Sequence, residues 1–234
     1  MPGSVCPTPS PAGSGRGRRD MAVTVNNPLV RGPDMVVLSH IQDPDVSLAV
    51  WDRAPPRTLL EGMAGLCPAH LPQGRVLVWL PDVRAALSGI LAETPIGATM
   101  LGRLLIDDML MLVKRFAAIA GNDIVDIRLD RLRHDACWKF HRDQVRLRLL
   151  TTYRGPATQI VPQAHAAQAL RDQRAYRGPL EDLPDGAVAL FKGLQAGPDT
   201  GVVHRSPPIA GTGTVRSLLC LNLPSEMSPP LWEP

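Results

Sequence analysis

Aromatic residues are scarce in this sequence: four Trp, three Phe and two Tyr among 234 residues. A surface that stacks unpaired bases needs more of them, so a single-stranded nucleic-acid binder is not indicated. Cysteine is nearly as rare. Cys6, Cys67, Cys137 and Cys220 lie far apart and none forms a C-x-x-C pair, which argues against a disulfide-stapled secreted domain. No apolar run reaches the roughly 18 residues of a membrane helix. The longest candidate, residues 96–113, is interrupted by Arg103, Asp107 and Asp108. No hydrophobic segment of a signal peptide flanks Arg18-Arg19. There is no Gly-rich phosphate loop, no nucleophile elbow and no internal repeat. A soluble chain with the cytoplasm as its compartment and no membrane partner is the expectation.

Charge is nearly balanced. The net charge is +3, and Arg16, Arg18 and Arg19 against Asp20 account for most of it. The remainder of the chain is close to neutral, which speaks against a nucleic-acid partner. What the sequence does have is apolar residues, 44% of the total, enough for a buried core.

Residues 1–20 are dominated by Gly, Pro and Ser and read as a disordered tail. Residues 224–234 are Pro-rich and read as an irregular C-terminal tail. Residues 21–120 read as a mixed helix and strand extension packed on the outside of a barrel. Short strands are expected over 36–38, 46–51 and 76–79, with helices over 82–91 and 97–120. In the last of these, Leu105, Met109, Leu112, Phe116 and Ile119 form one apolar stripe, and Gly121-Asn122 is a stop signal. Met109 and Met111 are read as core filler rather than metal ligands.

From residue 121 to 223 the pattern turns to strands. Val125, Ile127 and Leu129 alternate with Asp126, Arg128 and Asp130, a period of two. Further strands are expected over 137–141, 145–153, 158–161, 187–191, 201–204 and 215–223. Gly- and Pro-rich turns separate them. The expected class is mainly β with flanking helices (α+β): a double-stranded β-helix or cupin-like jelly roll with an N-terminal helical extension.

One constellation carries chemistry. In Cys137-Trp138-Lys139-Phe140-His141-Arg142-Asp143 the His and Asp are two residues apart, so on a strand they project from one face. His204 follows after a long gap. Two imidazoles and one carboxylate on one side of a metal leave the opposite positions open, the donor set of non-haem Fe(II) oxygenases. Those positions suit a chelating 2-oxo acid and dioxygen. Arg216 starts the last apolar strand, and a guanidinium there suits the distal carboxylate of 2-oxoglutarate. A hairpin from His204 to Arg216 would bring both into one cavity. Arg148 is the rival anchor and Lys192 a weaker one. Tyr153 either hydrogen-bonds the 2-oxo acid or is a sheet-edge tyrosine. The competing reading of His141 and His204 is that of ordinary strand residues.

The segments Cys137-x-Lys139-Phe140-His141-x-Asp143, 149–156 (LLTTYRGP), Leu190-Phe191-Lys192-Gly193 and His204-Arg205-Ser206-Pro207-Pro208 resemble domain-of-unknown-function family 1826, a bacterial family. The layout is similar to that of the Fe(II)/2-oxoglutarate-dependent oxygenase superfamily, whose fold is a double-stranded β-helix. That resemblance implies His141, Asp143 and His204 as iron ligands and Arg216 as the 2-oxoglutarate anchor. It also leaves open a metal-handling role. Ala157 stands where Gly would be expected and Ile160 where a bulkier aromatic would be, which leaves the substrate, small molecule or protein, undefined.

Three secondary features remain. Cys137 as a fourth ligand would favour Zn2+ over Fe(II); it is read instead as a small buried hydrophobe. His134 sits among charges, and His40, His70 and His165 lack partners at metal spacing. Arg128, Arg131, Arg133, Arg142, Arg146, Arg148 and Arg154 are read as solvated strand faces paired with Asp126, Asp130 and Asp135, against the alternative of a basic rim for an anionic substrate. The expected function is a hydroxylase-type oxygenase. The alternatives are a non-catalytic metal-binding protein of metal homeostasis or sensing, and a metal-free jelly-roll interaction module.

Overall fold

The computed structural model describes residues 24–26 and 28–233. The tail expected over 1–20 lies outside the described residues. The chain runs β1 (Thr24–Asn26), β2 (Leu29–Gly32), a 3-10 helix (Met35–Gln42), β3 (Leu48–Trp51), α1 (Arg57–Gly65), β4 (Gly74–Trp79), α2 (Val83–Ala92) and α3 (Met100–Ala120). It continues through β5 (Ile124–Leu132), β6 (Leu147–Arg154), β7 (Gln159–Ile160), α4 (Ala166–Asp172), β8 (Glu181–Asp182), β9 (Val188–Lys192), β10 (His204–Arg205) and β11 (Arg216–Asn222). The protein is mainly β sheet with several helices.

An eight-stranded sheet has the order β1-β2-β3-β9-β6-β11-β5-β4, and a three-stranded sheet the order β10-β7-β8. In the large sheet β2 and β3 are parallel and every other neighbouring pair is antiparallel. Strands from before residue 80 therefore continue the same hydrogen-bonded sheet on both sides of β9, β6, β11 and β5. The segment after β11 also joins it: Leu231 bridges Leu77, and the Trp232 N–H donates to Leu77 O at 2.7 Å. That contact covers part of the β4 edge, which would otherwise present unpaired backbone groups.

Period-two alternation sends each large-sheet strand's side chains to two different cores. On one side Val125, Ile127 and Leu129 of β5, Leu149 of β6 and Leu219 and Leu221 of β11 pack with the helices. The α3 stripe of Leu105, Met109, Leu112, Phe116 and Ile119 is buried there, as its spacing predicts. The Thr99 side chain accepts from Gly102 N at the start of α3. Gly121 ends it in the left-handed conformation at φ 64°, where a glycine has no Cβ to clash. On the other side Leu150, Leu218, Cys220, Phe191 and Leu48 meet Ile160, Leu183 and Val202. This second core lies between the two sheets.

Three expected strands differ. Residues 36–38 lie in the 3-10 helix, because Asp34 caps it by accepting from Val36 N, and Val37, Leu38 and Ile41 point inward at helical spacing. Residues 137–141 do not form a regular strand: Cys137 has φ 52°, and only His141 makes a bridge. The strand expected over 201–204 is His204–Arg205. The sequence reading also missed α1, β1, β2 and β8.

Candidate metal centre

His141 and His204 are joined main chain to main chain. Each N–H donates to the other's carbonyl at 3.0 Å, and the two rings lie 4.6 Å apart. This bridge, rather than a continuous strand, brings the distant histidine beside the H-x-D pair. Both rings are oriented in the same way. His141 Nδ1 is 2.8 Å from Lys139 O, and His204 Nδ1 is 2.9 Å from Val202 O. A carbonyl only accepts, so Nδ1 holds the proton and each Nε2 presents a lone pair.

Both Nε2 atoms face Asp143. His141 Nε2 is 3.8 Å from Oδ1, and His204 Nε2 is 3.6 Å from Oδ2. One donor atom from each residue lies within 4.8 Å of the others, a group able to hold one metal ion. Asp143 and His204 are buried, while His141 is half-exposed, so the cluster sits at the edge of the inter-sheet core. Burial pushes the His204 imidazole below its usual range, with Asp143 opposing and His141 assisting. Low basicity keeps the ring neutral, the form that ligates. Asp143 Oδ2 is buried without a hydrogen-bond partner among the described residues. A buried carboxylate oxygen left so costs about 1–3 kcal/mol or more. A cation between the three donors removes that cost, and two imidazoles with one carboxylate suit a divalent first-row metal.

The other sequence-predicted residues divide. Arg148 joins the site and donates through Nη1 to Asp143 Oδ1, while its Nε donates to Asn222 Oδ1 at 2.8 Å. Arg216 is 1% exposed. Alternation along β11 puts it on the same side as Leu218 and Cys220, between the sheets. Its Nε donates to Pro156 O at 2.7 Å, but Nη1 and Nη2 find no partner among the described residues. Burial lowers its pKa to about 10, so it remains a cation at neutral pH.

The hairpin expected from His204 to Arg216 is not formed. β10 pairs with β7 in the small sheet, and β11 lies between β5 and β6 in the large one. The connection crosses from one sheet to the other, because β5 and β6 already occupy both edges of β11.

Tyr153 is a correction. It projects from the opposite face of β6, into the helix-side core. Its hydroxyl donates to Asp108 Oδ2 at 2.6 Å, and Asp108 is itself paired with Arg53. Burial, then the Asp108 charge, raises the phenol well above its usual pKa. The parity that directs Arg148 to the metal side directs Tyr153 away from it.

Cys137 is exposed rather than buried, and it is not among the three grouped ligands. Its left-handed backbone at φ 52° turns the chain out of the sheet. Lys192 donates to Asp43 O, outside the site. Of the arginines, Arg128 pairs with Asp130, but Asp126 pairs with Arg75, and Asp135 accepts from the backbone of Ile209 and Ala210.

Three contributors escaped the sequence reading. The Phe191 ring lies 4.6 Å from the His204 ring, tilted by 35°. Asn222 holds Arg148, its cross-strand partner on β6. Gly193 lets two main chains meet: a Cβ there would lie 2.1 Å from Val145 O and 2.6 Å from Asp143 O. Only Gly193 and Phe191 had a sequence signal, in the Leu190–Gly193 segment. Asn222 had none, because its role depends on strand register.

The sequence profile of the family described as "Protein of unknown function (DUF1826)" matches residues 32–222. The chain belongs to this family. The match takes in β3 to β11 and every residue of the candidate metal group, as well as Arg148, Arg216 and Asn222. No curated protein matches the sequence. Among solved structures, a Pseudomonas putida prolyl-4-hydroxylase is similar at 12% identity, over 80% of this chain and 95% of that chain, with a TM-score of 0.39. A full-length Neurospora crassa protein in complex with alpha-KG and 5-formyluracil is similar at 13% identity, over 60% of this chain and 53% of that one, with a TM-score of 0.32. SnoK, a non-heme alpha-ketoglutarate-dependent carbocyclase from nogalamycin biosynthesis, is similar at 12% identity, over 80% and 82%, with a TM-score of 0.32. The chain covers 49% of the C-terminally truncated form of that Neurospora crassa protein, and 53% and 68% of its full-length form in two complexes. Among the described residues no helix is long and apolar enough to cross a membrane.

Proposed function

We propose that this protein is an Fe(II)/2-oxoglutarate-dependent oxygenase of the hydroxylase type, built on a double-stranded β-helix. The order β5-β11-β6-β9, faced by β10-β7-β8, supports that description of the barrel. His141 Nε2, His204 Nε2 and Asp143 Oδ2 would hold the metal. Ferrous iron, when bound, supplies dioxygen chemistry that couples oxidative decarboxylation of the 2-oxo acid to hydroxylation of a C–H bond.

The residues of the chain do the rest. The carbonyls of Lys139 and Val202 fix both ring tautomers. Phe191 and its inter-sheet neighbours keep water from the buried side of His204. Arg216 would bind the distal carboxylate of the 2-oxo acid, with both Nη atoms matched to its two oxygens.

Arg216 is the single observation that carries this reading over passive metal holding. A buried cation with two nitrogens unpartnered is expensive unless an anion completes it, and a metal-storing protein has no use for it. Fe(II) and 2-oxoglutarate, mixed with the protein without oxygen, should produce the visible band of a metal-chelated 2-oxo acid. His204→Ala should abolish the band, and Arg216→Met should weaken it by tenfold or more in 2-oxoglutarate affinity. Arg216→Met should also make the ligand-free protein about 1–2 kcal/mol more stable, since it removes a buried charge whose Nη atoms have no partner among the described residues. No band, with stoichiometric Zn2+ retained, would overturn the oxygenase reading in favour of metal handling or sensing.

A further inference from the structure

The acidic donor of the metal group is itself held by a cation. Arg148 rises from β6 opposite Asn222 on β11. Asn222 Oδ1 accepts from Arg148 Nε at 2.8 Å, so the guanidinium has a fixed direction. Its Nη1 then pairs with Asp143 Oδ1. Asn222 is tied in turn, with its Nδ2 3.5 Å from Cys220 Sγ. Asp143 is 3% exposed, and the backbone after it is laid against the chain around Gly193: Leu194 N donates to Asp143 O at 2.9 Å. The carboxylate is thus held at its backbone and at one oxygen. The other oxygen, Oδ2, is buried, unpartnered among the described residues and 3.6 Å from His204 Nε2.

We propose that Arg148 is a positioning residue that restricts Asp143 to a one-oxygen metal ligand: it occupies Oδ1, leaves Oδ2 for the metal, and so keeps three of six octahedral positions open. The inference rests on the reading of His141, Asp143 and His204 as a metal centre. A free carboxylate can ligate through both oxygens, which would close one of the positions an open site needs. The guanidinium, oriented by Asn222, occupies that second oxygen with one charge-assisted bond from Nη1.

The charge of Arg148 points the same way. A guanidinium beside a metal-binding carboxylate repels the metal. A protein built to store or buffer metal would gain affinity by replacing it, whereas a site that needs open positions gains geometry by keeping it. Arg148 is therefore assigned to the carboxylate ligand, and the anchoring of a co-substrate's carboxylate is left to Arg216.

The test uses Mn(II) alone as the probe. Water molecules on the bound ion are counted from the broadening of its EPR lines in 17O-enriched water. The wild-type protein should show three. Arg148→Met removes the guanidinium, frees Oδ1 and should show two. Arg148→Lys, which keeps a charged donor, should restore three. Arg148→Gln, too short to reach Oδ1 but polar, should also show two, and it serves if the Met variant does not fold. Three waters in both Arg148→Met and Arg148→Gln would overturn the proposal while leaving the metal centre intact. Mn(II) binding that is absent, or unchanged in His204→Ala, would instead overturn the metal centre itself.

Discussion

His204 shows how one residue's surroundings set its chemistry. It is buried, flanked by Phe191 and His141, and its Nδ1 is occupied by Val202 O. Burial holds its pKa below the ordinary 6.5. The unfolded chain takes up this proton near pH 6.5, whereas the folded chain resists it. Between 6.5 and the lower folded value the unfolded state binds more protons, so stability falls as pH falls. The slope is at most about 1.4 kcal/mol per pH unit. Urea midpoints of the metal-free protein should fall below pH 6.5, and His204→Leu should flatten that part of the profile. Parallel profiles for the two proteins would remove His204 as the cause. Bound metal should steepen the acid loss, since protonation competes with ligation.

At the scale of elements, the site depends on how closely the end of β9 approaches the segment carrying Asp143. Gly193 N donates to Arg146 O, and Leu194 N donates to Asp143 O. Gly193 has an ordinary φ of −100°, so its glycine is required by space and not by backbone conformation. Gly193→Ala would push a methyl into two carbonyl oxygens and displace Asp143. Metal affinity should fall by tenfold or more, and thermal stability with it. Gly89→Ala is the control: its Cβ meets nothing within 4 Å in α2, and helix propensity favours Ala by up to about 1 kcal/mol. Equal metal binding in Gly193→Ala and wild type would refute the coupling of β9 to the site.

Across the whole molecule, the helical layer is pinned to the sheet by one buried polar knot. Arg53, just after β3, donates from Nη1 and Nη2 to Asp108 of α3 at 2.5 and 2.9 Å, and from Nε to Gly186 O at 2.8 Å. Tyr153 of β6 donates to the same carboxylate. Four segments distant in sequence meet there, on the face of the sheet away from His141, Asp143 and His204. Asp108→Ala would leave the Arg53 charge uncompensated and should cost about 3–5 kcal/mol. Tyr153→Phe should cost about 1 kcal/mol and leave metal and 2-oxoglutarate affinity unchanged. A loss of 2-oxoglutarate binding in Tyr153→Phe, with stability intact, would return that tyrosine to the site.

What the sequence determined by itself was local and periodic. Spacing along one element decides which side chains share a face, so the α3 stripe, its glycine stop and the alternation of β5 were legible from residue order. The grouping of His141, Asp143 and His204 was legible in part, because His141 and Asp143 lie two residues apart. Tertiary structure decided everything that depends on which elements become neighbours. Arg148 and Tyr153 were both offered for the 2-oxo acid, and the sheet separates them: Tyr153 enters the helix-side core, whereas Arg148 reaches Asp143. Strand register put Asn222 opposite Arg148, and strand order set His204 and Arg216 in different sheets. Backbone hydrogen bonding between residues far apart in the chain makes those choices, and no local pattern encodes them.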